Sequence, residues 1–85
     1  MATISFPAFK NLHQRRQLEQ LASHGRALAE RTEDSFRLSL YALGTFYAEI
    51  WRSLGDDEHV LFVHAFDSPK GLTDYLEHIS LEAFE

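Results

Sequence analysis

Hydrophobic residues near the start of the chain recur at the spacing of one face of a helix. They are Leu12, Leu18, Leu21 and Ala22. With polar residues between them, they predict a helix over about residues 8–24. Asn11 and Gln14 have the spacing of a capping box for such a helix, and Gly25 is a natural C-terminal stop.

The segment after Gly25 fits the residue spacing of a helix and also that of a strand. It can continue the helix, because Leu21, Gly25 and Leu28 keep a heptad-like step. It can also form a short strand over residues 27–31. The polar run at 32–35 has the composition of a hairpin turn, which favours the strand.

Alternation of apolar with other residues predicts three clear strands, over about residues 36–42, 45–53 and 58–66. We expect a three-residue loop containing Gly44 between the first two. That loop pairs Leu40 with Phe46 and makes one face of the sheet uniformly apolar. A four-residue loop before the third strand pairs Ile50 with Leu61 and extends the same face.

The C-terminal part of the chain opens as a helix. Asp67 and Ser68 are candidate caps, and Pro69 suits the first helical turn. Apolar residues then follow at helical spacing, at Leu72, Tyr75, Leu76 and Ile79. This pattern predicts a helix over about residues 69–79. The predicted fold of residues 1–85 is therefore a single α+β domain with an N-terminal helix, a three- or four-stranded antiparallel β-meander and a C-terminal helix.

The second face of the predicted sheet is rich in aromatic residues. Its candidate interface residues are Arg37, Tyr41, Tyr47, Trp51, Val60 and Phe62. A solvated antiparallel face is mostly polar, so something is expected to cover this one. The alternatives are the terminal helices, a second copy or protein partner, and a small molecule. The function we expect is that of a non-enzymatic interaction module, acting as a homodimer or with a protein partner.

A candidate pocket on the same face groups Tyr47, Glu49 and His64. A carboxylate beside an imidazole can orient it as a general base, so a small-molecule-binding protein or minor enzyme is the alternative function. No nucleophile accompanies the pair, and a buried histidine with satisfied hydrogen bonds is the simpler interpretation. The predicted register also places Arg37 opposite Glu49 as a cross-strand ion pair.

Composition narrows the remaining possibilities. The chain has 85 residues, 45% of them hydrophobic, and no cysteine, which excludes thiol catalysis and cysteine-bound metal. Neither a signal peptide nor an apolar run of 18 residues is present, so we expect a cytoplasmic protein without membrane contact. The five histidines lack the spacing of a metal site, and we expect no catalytic residue, cofactor or metal.

Charge is unevenly distributed. Residues 1–31 hold five basic and two acidic residues, a net +3, whereas residues 32–85 hold three basic and eleven acidic residues, a net −8. The overall charge of −5 disfavours nucleic acid as a partner. A nucleic-acid adaptor acting through Lys10, Arg15 and Arg16 is the third function considered.

Two stretches resemble short bacterial proteins of unassigned function. They are residues 40–51, with the sequence LYALGTFYAEIW, and residues 68–76, with the sequence SPKGLTDYL. The resemblance extends loosely over residues 26–80. It implies neither an activity nor functional residues.

Overall fold

A four-stranded antiparallel sheet forms the centre of the protein. The computed structural model describes residues 4–55 and 59–75. Along the chain they form α1 (Phe6–Lys10), α2 (Gln14–His24), β1 (Arg26–Glu33), β2 (Phe36–Leu43), β3 (Phe46–Ser53), β4 (Val60–Phe66) and a 3₁₀ helix (Pro69–Tyr75). Neighbouring strands follow chain order, β1-β2-β3-β4. The predicted α+β class and antiparallel meander are confirmed, and the segment after Gly25 is a strand.

The N-terminal segment predicted as one helix over 8–24 is two helices. Ser5 caps α1, and its Oγ accepts the backbone N–H of Ala8 at 3.3 Å. Asn11 is the C-cap of α1 rather than the start of a capping box. His13 is the N-cap of α2.

The break between α1 and α2 has a packing reason. Phe9 and Leu21 are both buried in the same core against the sheet. One continuous helix would place these two side chains about 120° apart around its axis, because each residue turns it by about 100°. The Gln17 side chain secures the corner, since its Nε2 donates a hydrogen bond of 3.1 Å to the carbonyl oxygen of Phe9.

The first two hairpins of the sheet both turn through two residues. Asp34 and Ser35 connect β1 to β2, and Gly44 and Thr45 connect β2 to β3. The first residue of each turn has a positive φ, 54° at Asp34 and 63° at Gly44. Two-residue turns of this kind match the right-handed twist of the strands they join. The three-residue loop predicted at Gly44 is therefore wrong, and the turn predicted over 32–35 is shorter.

The shorter turn changes the register of β2 on β3. Leu40 pairs with Glu49, three residues beyond its predicted partner. A shift by an odd number of residues moves every side chain of β2 to the other face of the sheet relative to β3. The register of β4 also differs from the prediction, with Ile50 opposite Val63 rather than Leu61. That shift is even, so it keeps the faces of β3 and β4 together.

The six candidate interface residues are divided between two faces, because the odd shift moves Arg37 and Tyr41 of β2 and a bulge at Leu61 moves Val60 of β4 across the sheet. Tyr47, Trp51 and Phe62 lie on one face, and Arg37, Tyr41 and Val60 lie on the other. The predicted ion pair between Arg37 and Glu49 is wrong, because Arg37 lies opposite Arg52 on the other face. The prediction required one uniformly apolar face, whereas both faces of the central strands are buried.

Two layers cover the sheet. One face, here named the helical face, lies beneath α1 and α2, and the buried residues there are Phe9, Leu21, Leu43, Phe46, Ala48 and Ile50. The opposite face, here named the 3₁₀ face, carries Leu38 and Leu40. The 3₁₀ helix buries Leu72 and Tyr75 against them. Because a 3₁₀ helix has about three residues per turn, these two side chains point in the same direction.

The C-terminal helix predicted over 69–79 is a 3₁₀ helix in its described part, Pro69–Tyr75. Residues 76–79 lie outside the described residues. The 3₁₀ helix approaches β4 closely at Gly71, where a Cβ atom would come within 2.4 Å of the Phe66 ring. Glycine at this position therefore allows the helix to pack on the sheet.

Candidate functional site

Glu49 is a buried carboxylate in the middle of the sheet. It lies on β3 and is 6% exposed. Its Oε1 is 2.8 Å from Nδ1 of His64, the direct cross-strand partner on β4. Its Oε2 accepts a hydrogen bond of 2.6 Å from the hydroxyl of Tyr75. A buried carboxylate is tolerated only with such partners, so these contacts explain how the sheet accommodates Glu49.

Tyr75 connects the 3₁₀ helix to this carboxylate. Burial, with help from the hydrogen bond and charge of Glu49, raises the pKa of the Tyr75 hydroxyl above its usual range. The phenol therefore keeps its proton and acts as the donor. Arg31 on β1 lies over the Tyr75 ring, with its guanidinium carbon 4.9 Å from the ring centroid, and it also pairs with Glu33. Burial by itself disfavours the charged form of Arg31. The hydrogen bonds and charges of Glu33 and Tyr75 together have the larger, opposite effect, so the pKa of Arg31 is raised.

His64 is the exposed end of this network. Its side chain is 55% exposed, against 8% for that of Glu49. The ring nitrogen Nδ1 is turned toward Glu49 and donates to it when the carboxylate is ionised. The other nitrogen, Nε2, then lies on the outer side of the ring. An imidazole oriented in this way can exchange a proton or form a hydrogen bond with an outside group.

Aromatic rings continue from His64 along the same face. We define the aromatic strip as Phe36, Tyr47, Trp51, Phe62, His64 and Phe66. Phe66 stacks on both Tyr47 and His64, at centroid distances of 5.5 and 5.6 Å. Trp51 stacks on Phe62 at 5.0 Å. Phe62 is 46% exposed, and the buried indole N–H of Trp51 has no acceptor among the described residues.

The structure brings together two of the three predicted pocket residues. Glu49 and His64 are in direct contact, whereas Tyr47 reaches His64 through Phe66. The phenol that binds Glu49 is that of Tyr75, which the sequence pattern places on the apolar side of a helix. The one signal for its role is chemical: a tyrosine buried among leucines needs a partner for its hydroxyl.

β4 is one of the two edge strands of the sheet. The other edge, β1, carries four charged residues, which are Arg26, Glu30, Arg31 and Glu33. β4 has the sequence VLFVHAF, with no acidic residue, lysine, arginine or proline. Leu61 is the extra residue of a bulge against β3, and Phe62–Phe66 is regular. Among the described residues, three large hydrophobic side chains are exposed, and two of them, Leu61 and Phe62, lie on β4.

The predicted interface residues of the helical face have other surroundings. Arg37 and Tyr41 line a cavity of about 330 Å³ together with Glu30, Ser39 and Arg52. Val60 packs against the core beneath α1 and α2. These residues therefore do not share a surface with the aromatic strip.

The described part of the chain contains no group of three or more acidic or histidine residues arranged to bind one metal ion. It also contains no helix with the length and apolar character that crossing a bilayer requires.

Comparison with known proteins identifies no relative of this chain. No family model matches it, and neither the curated proteins nor the solved structures give a significant match. What the protein does is therefore inferred from its own residues.

Proposed function

We propose that this protein is a small self-association module, whose homodimer forms when β4 pairs with β4 of a second copy. The observation that supports the proposal is the composition of this edge. β4 has no acidic residue, lysine, arginine or proline, and the exposed ring of Phe62 lies on it.

An edge strand presents unpaired N–H and C=O groups to any other strand. Proteins that stay monomeric protect such an edge with charged side chains, proline or a bulge. The edge at β1 has four charged residues among its eight. β4 has a bulge at Leu61, but the five residues from Phe62 to Phe66 are regular and uncharged apart from any proton on His64. A charged edge at β1 and an uncharged edge at β4 are what we expect if β4 pairs with a second copy and β1 does not.

Antiparallel pairing of β4 with its copy gives a dimer with two-fold symmetry, in which each copy contributes the same surface. The two sheets become one sheet of eight strands, and the two aromatic strips become neighbours on one face. Phe62 gains burial in both copies, and complete burial of such a side chain contributes about 1.5–3 kcal/mol. A chain of 85 residues has a small core and benefits from this additional burial.

The polar network has a positioning role in this proposal. His64 lies in the middle of the regular part of β4, so it lies beside the second copy in the dimer. Glu49 holds its ring through the 2.8 Å contact, and Tyr75 holds Glu49. The network thereby fixes the side chains of the edge before pairing, which lowers the entropy cost of association.

A charge introduced on β4 tests the proposal. In Phe62→Lys, the lysine removes an exposed apolar ring and adds the type of charge that protects edge strands. Leu54→Lys is the matched control, because Leu54 is also exposed (39% against 46%) but follows β3 rather than lying on β4.

Light scattering should give a monomer mass for Phe62→Lys and a dimer mass for Leu54→Lys, with both variants folded by circular dichroism. If the Phe62→Lys protein has the same mass as the wild type, β4 is not the interface.

A second candidate function is supported by the Glu49–His64 pair. His64 is exposed and a buried carboxylate orients it, which is the arrangement of a general base in a small-molecule site that also includes Tyr47. A small-molecule library that raises the unfolding temperature of the wild type but not of His64→Gln would support this function. A library without any stabilising compound would count against it.

A further inference from the structure

The backbone hydrogen bonds at the end of β3 indicate which residues of that strand bond to β4. The N–H of Ser53 donates to the carbonyl oxygen of His59, on the β4 side, at 3.1 Å. The N–H of the next residue, Leu54, donates to the carbonyl oxygen of Ser35, on the β2 side, at 2.9 Å. Because this direction alternates from residue to residue in an antiparallel sheet, the odd-numbered residues of β3, including Glu49, bond to β4.

The backbone groups that β4 presents at the edge of the sheet are therefore those of Val63 and Ala65. Glu49 lies directly opposite His64, so His64 uses its backbone N–H and C=O toward β3. The residues on either side of His64 direct theirs the opposite way, out of the edge. A second copy of β4 must form its hydrogen bonds with these two residues.

The register centred on His64 meets this requirement along the whole regular part of β4. It pairs Val63 with Ala65 of the second copy and includes all the residues from 62 to 66. A register centred on Val63 would bring the bulge at Leu61 into the ladder. A register centred on Ala65 would leave the start of the regular part unpaired.

We propose that the two copies of β4 pair in the register centred on His64, so that the two imidazole rings lie side by side at the two-fold axis and the dimer dissociates in acid. This inference rests on the proposed function, to which it adds a register and a pH dependence. His64 then lies opposite its copy at a non-hydrogen-bonded position, where Cα atoms are about 4.5 Å apart and side chains come closest. Phe62 lies opposite Phe66 of the second copy, so the two aromatic strips join.

The charged groups around His64 belong mainly to its own copy. Nδ1 of the ring contacts Oε1 of Glu49 at 2.8 Å, and Tyr75 of the 3₁₀ helix donates to the other carboxylate oxygen. Arg31 of β1 lies over the Tyr75 ring, further from the edge. Glu49 of the second copy lies one strand beyond the second ring, about 4.8 Å further away. The group of the second copy nearest to each ring is therefore the other ring.

Protonation of both rings places two positive charges at directly opposed positions, and such pairs destabilise a sheet. The His64 side chain is 55% exposed in the single copy, and pairing removes water from it, which also disfavours its charged form. Neutral rings have neither cost. The dimer therefore binds fewer protons than two separate copies, so acidification through the range in which histidine ordinarily titrates favours separation.

A single introduced cysteine tests the register, because the chain has no cysteine of its own. His64→Cys should form a disulfide between copies under mild oxidation, since Cα atoms about 4.5 Å apart lie within the range of disulfides. Phe62→Cys is the matched control on the same strand and face. In this register its copy lies four residues further along the strand, on the order of 13 Å away, so it should form no disulfide. A disulfide in Val63→Cys or Ala65→Cys but not in His64→Cys would overturn the register.

Sedimentation equilibrium at about pH 8 and about pH 5.5, on either side of the ordinary histidine pKa, tests the acid dependence. The dissociation constant of the wild type should rise about tenfold or more in acid, whereas that of His64→Gln should change little. His59→Gln is the matched control, because His59 is exposed and precedes β4, and it should keep the pH dependence of the wild type. Circular dichroism at both pH values checks that each protein is folded.

The outcomes separate this inference from the proposed function. A wild type that is monomeric at both pH values contradicts the dimer itself. A wild type that is dimeric, but whose dissociation constant rises no more than that of His64→Gln, overturns the inference and leaves the dimer standing.

Discussion

The hydroxyl of Tyr75 donates a 2.6 Å hydrogen bond to Glu49, and this bond joins the 3₁₀ helix to the central strand of the sheet. Glu49 in turn contacts His64, so three elements meet at one carboxylate. This arrangement explains why a charged residue lies on an otherwise apolar interior position of β3. It also makes Tyr75 the residue whose removal most directly tests the network.

Replacing Tyr75 with phenylalanine should lower the free energy of unfolding by about 1–3 kcal/mol, because Glu49 remains buried with one partner fewer. Urea unfolding at neutral pH measures this change. Tyr47→Phe is the control, since it removes a hydroxyl from a half-buried ring that stacks on Phe66. Equal losses in the two variants would show that the bond to Glu49 has no special weight.

Stability should decrease at alkaline pH through Tyr75. An ordinary tyrosine has a pKa of 10.0, and burial raises the pKa of Tyr75 above it. Above pH 10.0 the unfolded chain therefore loses this proton while the folded chain keeps it, so the unfolded state is favoured. Below that pH both states hold the proton, and Tyr75 contributes no pH dependence.

The measurement for this prediction is the urea midpoint between about pH 9 and about pH 11, on either side of the tyrosine pKa. The midpoint of the wild type should fall more steeply than that of Tyr75→Phe, which lacks the titrating group. Parallel curves for the two proteins would mean that Tyr75 ionises as freely in the folded chain as in the unfolded one.

Gly71→Ala should destabilise the fold by about 1–3 kcal/mol, the usual cost of an overpacked contact. The new Cβ atom would lie 2.4 Å from two ring atoms of Phe66, so the 3₁₀ helix or β4 must shift. Gly55→Ala is the control, because among the described residues its Cβ would meet only the Ser53 hydroxyl oxygen, at 3.2 Å. Thermal unfolding of both variants tests the prediction, and equal stability of the two would contradict the close approach at Gly71.

Trp51→Ala should weaken the proposed dimer about two- to tenfold, because Phe62 loses the ring that holds it in place before pairing, and ordering a side chain at an interface costs about 0.5–1.5 kcal/mol. Sedimentation equilibrium measures the dissociation constant. Phe36→Ala is the control, since Phe36 also contacts Trp51 but lies on β2, two strands from the β4 edge. It should affect folding stability without changing dimer affinity. A dissociation constant unchanged in Trp51→Ala would remove the aromatic strip from the interface.

The meander can be predicted from the sequence because alternation in β2, β3 and β4 is strong and the breaks between them contain turn residues. The register of β2 on β3 cannot be predicted in the same way. A three-residue loop at Gly44 follows if one face alone is buried, because that loop pairs apolar residues with apolar partners. The 3₁₀ helix covers the second face, so Glu49 can lie opposite Leu40 although both residues are buried. The geometry of the two-residue turn, rather than the matching of apolar residues, then determines the pairing.

The candidate site is also only partly predictable. Glu49 lies on β3 and His64 on β4. The register predicted for these two strands differs from the observed one by an even number of residues, so both side chains remain on the same face of the sheet. Tyr75 comes from a different element, and the side to which its hydroxyl points depends on the path of the chain after Phe66. The helical spacing of Tyr75 among leucines predicts that this residue is buried, but it does not predict which group its hydroxyl binds.

The most direct test of the proposed function is the solution mass of the unmodified chain, measured by light scattering over a dilution series. The proposal predicts a mass of twice 9.8 kDa at high concentration, falling toward 9.8 kDa as the dimer dissociates on dilution. A mass of 9.8 kDa throughout the series would contradict pairing through β4 and leave the His64 side of the molecule as a site for other ligands.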